Sequence, residues 1–237
     1  MAAALHRMHI KRGERRMNLI LGLTLALIVF LMANGLYRVI NRPRAKPIDK
    51  TARPNSALLV IDMQHDFTRA SGKLAHDPER RLVAFHQINE LAAEAHQLGI
   101  PVIEISHAFT DPLEKLVVKI IAGGAGIEGS LGLKRDDALT YEANYHVWKH
   151  EGDSFTAPMF TRYLDDHEIG HLYITGQDAT ACINATAKAA LKRHYDVTLI
   201  DDAILARNGG KWQAMKDKLL ASGARLATGL GLSASPV

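Results

Sequence analysis

The sequence predicts an α/β fold: a parallel sheet of about six strands with helices on both faces, preceded by one N-terminal transmembrane helix. Three observations carry this expectation. From Ala57 onward, short apolar runs rich in branched residues alternate with longer stretches of helical period, which is the rhythm of β–α units joined by right-handed crossovers. Those runs, such as Ala57–Ile61 (ALLVI), are apolar without alternation, as suits strands buried on both faces. Ahead of them, Met17–Tyr37 (MNLILGLTLALIVFLMANGLY) carries no charge and is bracketed by Arg16 and Arg38.

That leading stretch spans roughly 32 Å as a helix, close to the ~30 Å hydrocarbon core of a bilayer. It is apolar on every side, unlike an interfacial helix. Residues 1–16 read as a basic N-terminal segment, 17–40 as a signal anchor and 41–56 as a linker, leaving 57–237 as the folded body. The linker, NRPRAKPIDKTARPNS, holds three prolines and has no apolar period, so it is semi-rigid and extended. The small-x-small run Ala33-Asn34-Gly35 also suits signal-peptide cleavage, which would make the body secreted. Five Lys/Arg precede the span and five follow it closely, so the positive-inside rule leaves a periplasmic or extracellular body and a cytoplasmic one both open. A start at Met17 would favour the cytoplasm.

Within the body, Asp77-Pro78 opens a helix with Leu82, Phe85, Ile88, Leu91, Ala92 and Ala95 on one stripe and Gly99 at its stop. Pro101–Ser106, Tyr145–Trp148, His171–Thr175 and Val197–Ile200 are further strands, and Arg225–Thr228 is a short last one. Ala179–His194 and Lys211–Ser222 are helices. Asp111–Asn144 breaks the rhythm with a Gly-rich patch (GGAGIEGSLGL). It reads as a long connection or lid over a site, and as the place where substrate determinants should lie.

Composition removes several function classes. A single cysteine excludes an intramolecular disulfide framework and any all-cysteine metal site. The net charge of +4 is the sum of two unlike parts. Residues 1–56 carry +9 and the remainder −5. The body is mildly acidic, so no nucleic-acid partner is expected; the basic flanks suit a membrane surface.

Ligands of parallel sheets bind beyond the carboxyl ends of the strands, and those ends deliver Asp62, Lys149 and, a few residues past Gly176, Cys182 in the first turn of a helix. The trio makes a coherent acyl-transfer site. The helix start and the ammonium would lower the thiol pKa. Asp62 would take the thiol proton and return it to a leaving amine. Backbone N–H groups around Asp178–Cys182 would stabilise a tetrahedral oxyanion. Phe67, Trp148 and Phe155 are candidate pocket residues. Each member also has a plainer reading, as a packed cysteine, a capping aspartate, a solvated lysine or core aromatics.

The motifs LLVIDMQHDF (Leu58–Phe67) with Ser71-Gly72-Lys73-Leu74, WKHEGDSFTAPMFTRYL (Trp148–Leu164) and ITGQDATACINATAKAALKRHYDVTLIDDA (Ile174–Ala203) resemble the isochorismatase-like cysteine hydrolase superfamily, which includes nicotinamidases and N-carbamoylsarcosine amidases. The resemblance covers about Ser56 to Thr228. It implies a catalytic triad of Asp62, Lys149 and Cys182, an oxyanion hole from the backbone N–H groups of Asp178 and Cys182, a non-proline cis peptide at Gln177–Asp178, and assembly into a homo-oligomer. It further implies a small-molecule substrate with an amide, carbamoyl or ureido bond, cleaved through a Cys thioester. Asp178 departs from the small residues usual at its position, and its carboxylate would raise the thiol pKa or select a cationic substrate. The nicotinamidase metal site needs Asp-x-His after the second strand; here that region is SHAFTDP (Ser106–Pro112), with His107 alone, so neither a metal nor another cofactor is expected. A non-catalytic, membrane-tethered binding module of the same fold and a thiol redox sensor are the readings from other function classes.

Overall fold

The computed structural model describes residues 16–19, 21–22, 29–30, 45–69 and 74–227. The chain divides into two units, residues 1–44 and 45–237. In the first, residues 16–19, 21–22 and 29–30 are helical, and Met17, Leu19, Leu21, Val29 and Phe30 are exposed. Most of the expected span lies outside the described residues, as do Ser71–Lys73 and Thr228. Among the described residues no helix is long and apolar enough to cross a membrane.

The second unit is a six-stranded sheet. Its strands are β1 (Asn55–Ile61), β2 (Val102–His107), β3 (Tyr145–Lys149), β4 (Ile169–Gly176), β5 (Asp196–Ile204) and β6 (Arg225–Ala227). They lie in the order β3-β2-β1-β4-β5-β6, and every neighbouring pair is parallel. The chain winds outward from β1 to β3, returns to β4 on the other side of β1, and winds outward again. The switch point therefore lies between β1 and β4, where such sheets open a crevice at their carboxyl ends.

Both faces are covered. Helix α1 (His65–Thr68) is a single turn, and α2 (Pro78–Gln97) follows it. Asp77 caps α2 by accepting from Arg80 N, with Pro78 at its start. One apolar layer joins α2 to Leu58, Val60 and Tyr173 of the sheet. It uses Ala84, Phe85, Ile88, Leu91, Ala92 and Ala95, whereas Leu82 is 62% exposed. Leu82 lies about 120° from Ile88 around a helix of 3.6 residues per turn, so it belongs to the wet side and not to the expected stripe. The opposite layer packs Leu59, Ile61, Ile105 and Ile174 under α4 (Pro158–Asp166), α5 (Asn184–Lys192) and α6 (Gly209–Ala221).

The expected long connection Asp111–Asn144 contains a helix, α3 (Pro112–Ala122), and a 3-10 turn at Leu131–Leu133. Asp111 caps α3 by accepting from Leu113 N and Glu114 N, and Gly123 ends it in the left-handed region at φ 66°. The Gly-rich patch after it is held to the body by Asp66, whose Oδ2 accepts from Gly126 N and Ser130 Oγ, both at 2.9 Å. At the other end of the sheet, the segment preceding β1 docks beside the strand starts. Ile48 N donates to Arg193 O at 2.8 Å. Lys50 pairs with Asp196, and Arg53 pairs with Asp165, both at 2.7 Å.

Candidate active site

The carboxyl ends of three strands converge on one ammonium. Lys149, the last residue of β3, stands beside His107, the last of β2, in the sheet register. It is only 1% exposed. Its Nζ lies 2.8 Å from Asp62 Oδ2, 3.3 Å from Cys182 Sγ and 3.3 Å from His107 Nδ1. An ammonium has three hydrogens to give, and here three acceptors surround it.

Each partner is placed by local chain geometry. Asp62 follows β1 at φ 55°, a left-handed conformation that aspartate tolerates better than most residues. Its amide donates to Ile105 O at 2.7 Å, and its carbonyl accepts from Gln177 Nε2 at 3.0 Å. Gln177 in turn meets His76 Nε2 at 2.7 Å. Gly176 closes β4 at φ 108°, where a Cβ would collide with the Ile61 carbonyl. The peptide Gln177–Asp178 is cis. Beyond it, a π-helical turn, Ala179–Ile183, leads into α5 and carries Cys182 to the sheet edge. In this turn Ala179 N donates to Leu205 O, Thr180 N to Asp178 Oδ1, and Ala181 N and Ile183 N both to Asp178 O. His107 is fixed by a side-chain amide. Gln64 donates to the His107 carbonyl at 3.0 Å and accepts from its N–H at 2.7 Å.

The electrostatics differ from expectation at the thiol. Burial pushes the Cys182 thiol well up, the Asp62 carboxylate adds to this, and Lys149 only partly opposes them. The helix start and the cation do not prevail, because the thiol shares its cation with a carboxylate. For Lys149, burial disfavours the charge, but Asp62 and then Cys182 outweigh it and the pKa is raised. His107 is pushed down to about 4, first by burial and then by Lys149. The resting site thus pairs one ammonium with one carboxylate beside a protonated thiol and a neutral imidazole. Asp62 Oδ1 is buried without a hydrogen-bond partner, which leaves a lone pair to receive a proton.

A cavity of about 330 Å³ opens on this cluster. Phe67, Leu74, Phe109, Val118 and Ala122 form an apolar wall, and Asp178 and Arg207 stand among the polar groups. Of the three aromatics expected at the pocket, Phe67 alone lines it. Trp148 is 44% exposed, because alternation along β3 turns it away from the face that Lys149 occupies. Phe155 packs in the core against Phe160 and Tyr195. Asp178 is not a spare negative charge. Its Oδ2 pairs with Arg207 Nε at 2.9 Å, and its Oδ1 accepts from Thr180 N and Oγ1.

Sequence reasoning missed Gln64, His76, Phe109, Gln177 and Arg207 as members of the site. Arg207 was legible in principle: the expected strand stopped at Ile200, but β5 runs to Ile204 and delivers the chain to the same edge. No group of three or more His, Cys, Asp or Glu able to hold a metal occurs among the described residues. His107 meets the Lys149 ammonium through Nδ1, and its Nε2 is buried without a hydrogen-bond partner.

The isochorismatase domain model matches residues 56–229. The chain belongs to the isochorismatase family. The family protein YddQ of Bacillus subtilis is 25% identical over 149 residues, which are 62% of this chain and 76% of that protein. Among solved structures, the N-carbamoylsarcosine amidase of Thermoplasma acidophilum is 24% identical with a TM-score of 0.64, over 76% of this chain and 99% of that one. The nicotinamidase PncA of Bacillus subtilis is 18% identical with a TM-score of 0.64, over 73% and 99%. The parallel sheet and its helices are the fold of this family.

Proposed function

We propose that this isochorismatase-family chain is a membrane-anchored cysteine hydrolase that cleaves a small amide, carbamoyl or ureido substrate through a Cys182 thioester. The observation that carries the reading is the buried ammonium of Lys149 bonded to both Asp62 and Cys182, which line a cavity sized for a small molecule. The amidases among its structural relatives support the same bond class.

Asp62 accepts the thiol proton as Sγ attacks the substrate carbon, and the negative charge that leaves the thiol passes to the substrate oxygen. Lys149 holds Asp62 and the sulfur in one geometry and keeps the cluster neutral overall, so no uncompensated charge is buried. The backbone N–H groups of Asp178 and Cys182, which the family resemblance assigns to the oxyanion, belong to the turn that carries the thiol. Asp62 then gives its proton to the leaving nitrogen. Water entering the cavity loses a proton to Asp62 and cleaves the thioester, which restores the thiol. The elevated thiol pKa suits this order: the proton leaves only when attack begins.

The test is ammonia or amine release from a panel of small amides, carbamoyl compounds and ureides. The wild-type chain is expected to turn over at least one class, and Cys182→Ala to lose about four orders of magnitude. Hydrolysis that survives this substitution would remove Cys182 from the mechanism. Anchoring rests on Met17–Tyr37 and its basic flanks; alkaline carbonate extraction of membranes should leave the full chain in the pellet.

A further inference from the structure

His76 is buried beside the crevice, only 4% exposed, and no step of the mechanism uses it. The chain anchors it on both sides. Its own N–H donates to Arg69 O at 3.2 Å, and the next residue, Asp77, caps α2. Its Nε2 lies 2.7 Å from Gln177 Oε1. The direction of that bond follows from the other end of the glutamine. The Asp62 carbonyl can only accept, so Gln177 gives it the amide nitrogen, at 3.0 Å, and turns its oxygen toward His76. The His76 ring therefore carries a hydrogen on Nε2. The ring also meets the Phe67 carbonyl, so plain packing under the cavity wall is the role a test has to separate.

We propose that His76 is a positioning residue: through Gln177 it fixes the backbone of Asp62 and so aims the carboxylate at the Cys182 thiol. This rests on the reading of Asp62 as the base for Cys182. The need for such support is visible at Asp62 itself. Its Oδ2 is held by Lys149, but its Oδ1 has no hydrogen-bond partner. The direction of the carboxylate is thus left largely to the backbone. That backbone stands at φ 55°, a sparsely populated region that persists where neighbours hold it. The Asp62 amide is held by Ile105 O at 2.7 Å, and the Gln177 amide holds the carbonyl side. The terminal torsion of a glutamine is broad and roughly two-fold, so an amide bonded at one end can turn. His76 engages the other end and locks it. Gln177 is 2% exposed, so no solvent takes over that bond. A histidine suits the task because it donates through Nε2 both in this neutral tautomer and when protonated.

Cys182, the only cysteine of the chain, is the reporter. The Asp62 carboxylate helps to raise its pKa, so a carboxylate aimed away lets the thiol ionise more readily and react faster with iodoacetamide. Labelling of the detergent-solubilised full chain is followed by mass at pH 7. His76→Phe, which keeps a ring and loses the donor, should label about threefold faster or more. His76→Gln, which offers an amide N–H to Gln177, should return the rate to within about twofold of wild type. Made in an Asp62→Asn background, His76→Phe should change the rate by less than about twofold, because the group it aims is no longer charged. Equal acceleration in both backgrounds would assign His76 to packing under the Phe67 wall and overturn the proposal. Where His76→Phe does not fold, Gln177→Met breaks the same link from its other end; the proposal falls unless that variant labels faster and does so only with Asp62 present. Asp62→Asn labelling at the wild-type rate would overturn the base reading and the proposal with it. A faster Asp62→Asn beside an unmoved His76→Phe would overturn the positioning role alone.

Discussion

Burying an ammonium is expensive unless its charge is met, and the three acceptors around Lys149 also set the protonation of its neighbours. Asp62 and Lys149 act on the thiol with opposite signs, which yields a prediction with a split outcome. In Asp62→Asn the carboxylate that raises the thiol pKa is gone while the ammonium that lowers it stays, so iodoacetamide should label Cys182 faster at pH 7, about tenfold for each unit the pKa falls. The same variant should lose about two to four orders of magnitude in turnover, because no base remains. Lys149→Met should move labelling the other way, to slower. Labelling unchanged in Asp62→Asn would mean that the carboxylate does not govern the thiol. The places of Asp62 and Lys149 at the sheet edge were legible because strand ends are legible: an apolar run that stops at a polar residue gives its own boundary. The thiol's elevated pKa was not, since it depends on one lysine being shared by two acceptors. Trp148 was a misreading at this scale, because period-two alternation cannot send both Trp148 and Lys149 into one site.

At the scale of elements, the segment between β2 and β3 shapes the cavity, and it was the least legible part of the body. Asp111-Pro112 is the same opening as Asp77-Pro78, yet α3 could not be assigned by asking which apolar stripe faces a core, since its stripe faces outward. The glycines after it have a specific task. Gly126 sits at φ 78°, and a Cβ there would collide with the Phe67 ring and approach Phe109 Cδ2 at 3.2 Å. Both rings line the cavity. Gly126→Ala should therefore push the aromatic wall inward while leaving the Asp62–Lys149–Cys182 cluster in place. The expected kinetics are a KM raised about tenfold, the scale of a methylene-sized misfit, with kcat changed far less. An equal fall in kcat with KM unaltered would show that the wall acts on the chemistry and not on binding. Asp66 holds this loop from below, so its role too is to set the wall.

Over the whole molecule, the parallel sheet was predictable because the inner strands β1, β2, β4 and β5 are buried on both faces and α2 opens on its own Asp-Pro start; strand order was not, since it follows from where the chain returns after β3. That return places β4 against β1 and creates the crevice, and it also encloses imidazoles far apart in the chain. His107 and His171 each fall from 6.5 to about 4, chiefly through burial, the first then lowered further by Lys149 and the second by Arg225. Burial also lowers His76. A histidine whose folded pKa lies below its unfolded value of about 6.5 stabilises the fold fully above that pH, and the contribution disappears as pH falls toward the folded pKa. For His107 and His171 the window runs from about 6.5 down to about 4, and a 2.5-unit gap is worth at most about 3 kcal/mol per site. Unfolding of the detergent-solubilised full chain should thus show stability falling steeply between pH 6.5 and 4.5, above the range where most carboxylates titrate. His171 lies outside the active site, bonded through Nε2 to Thr198 Oγ1 at 2.9 Å, so His171→Gln tests the claim without touching catalysis. The variant starts less stable at pH 7, having lost that bond, but its stability should fall less between pH 6.5 and 4.5. Wild-type and variant curves that run parallel through this window would show that His171 does not take up its proton on unfolding.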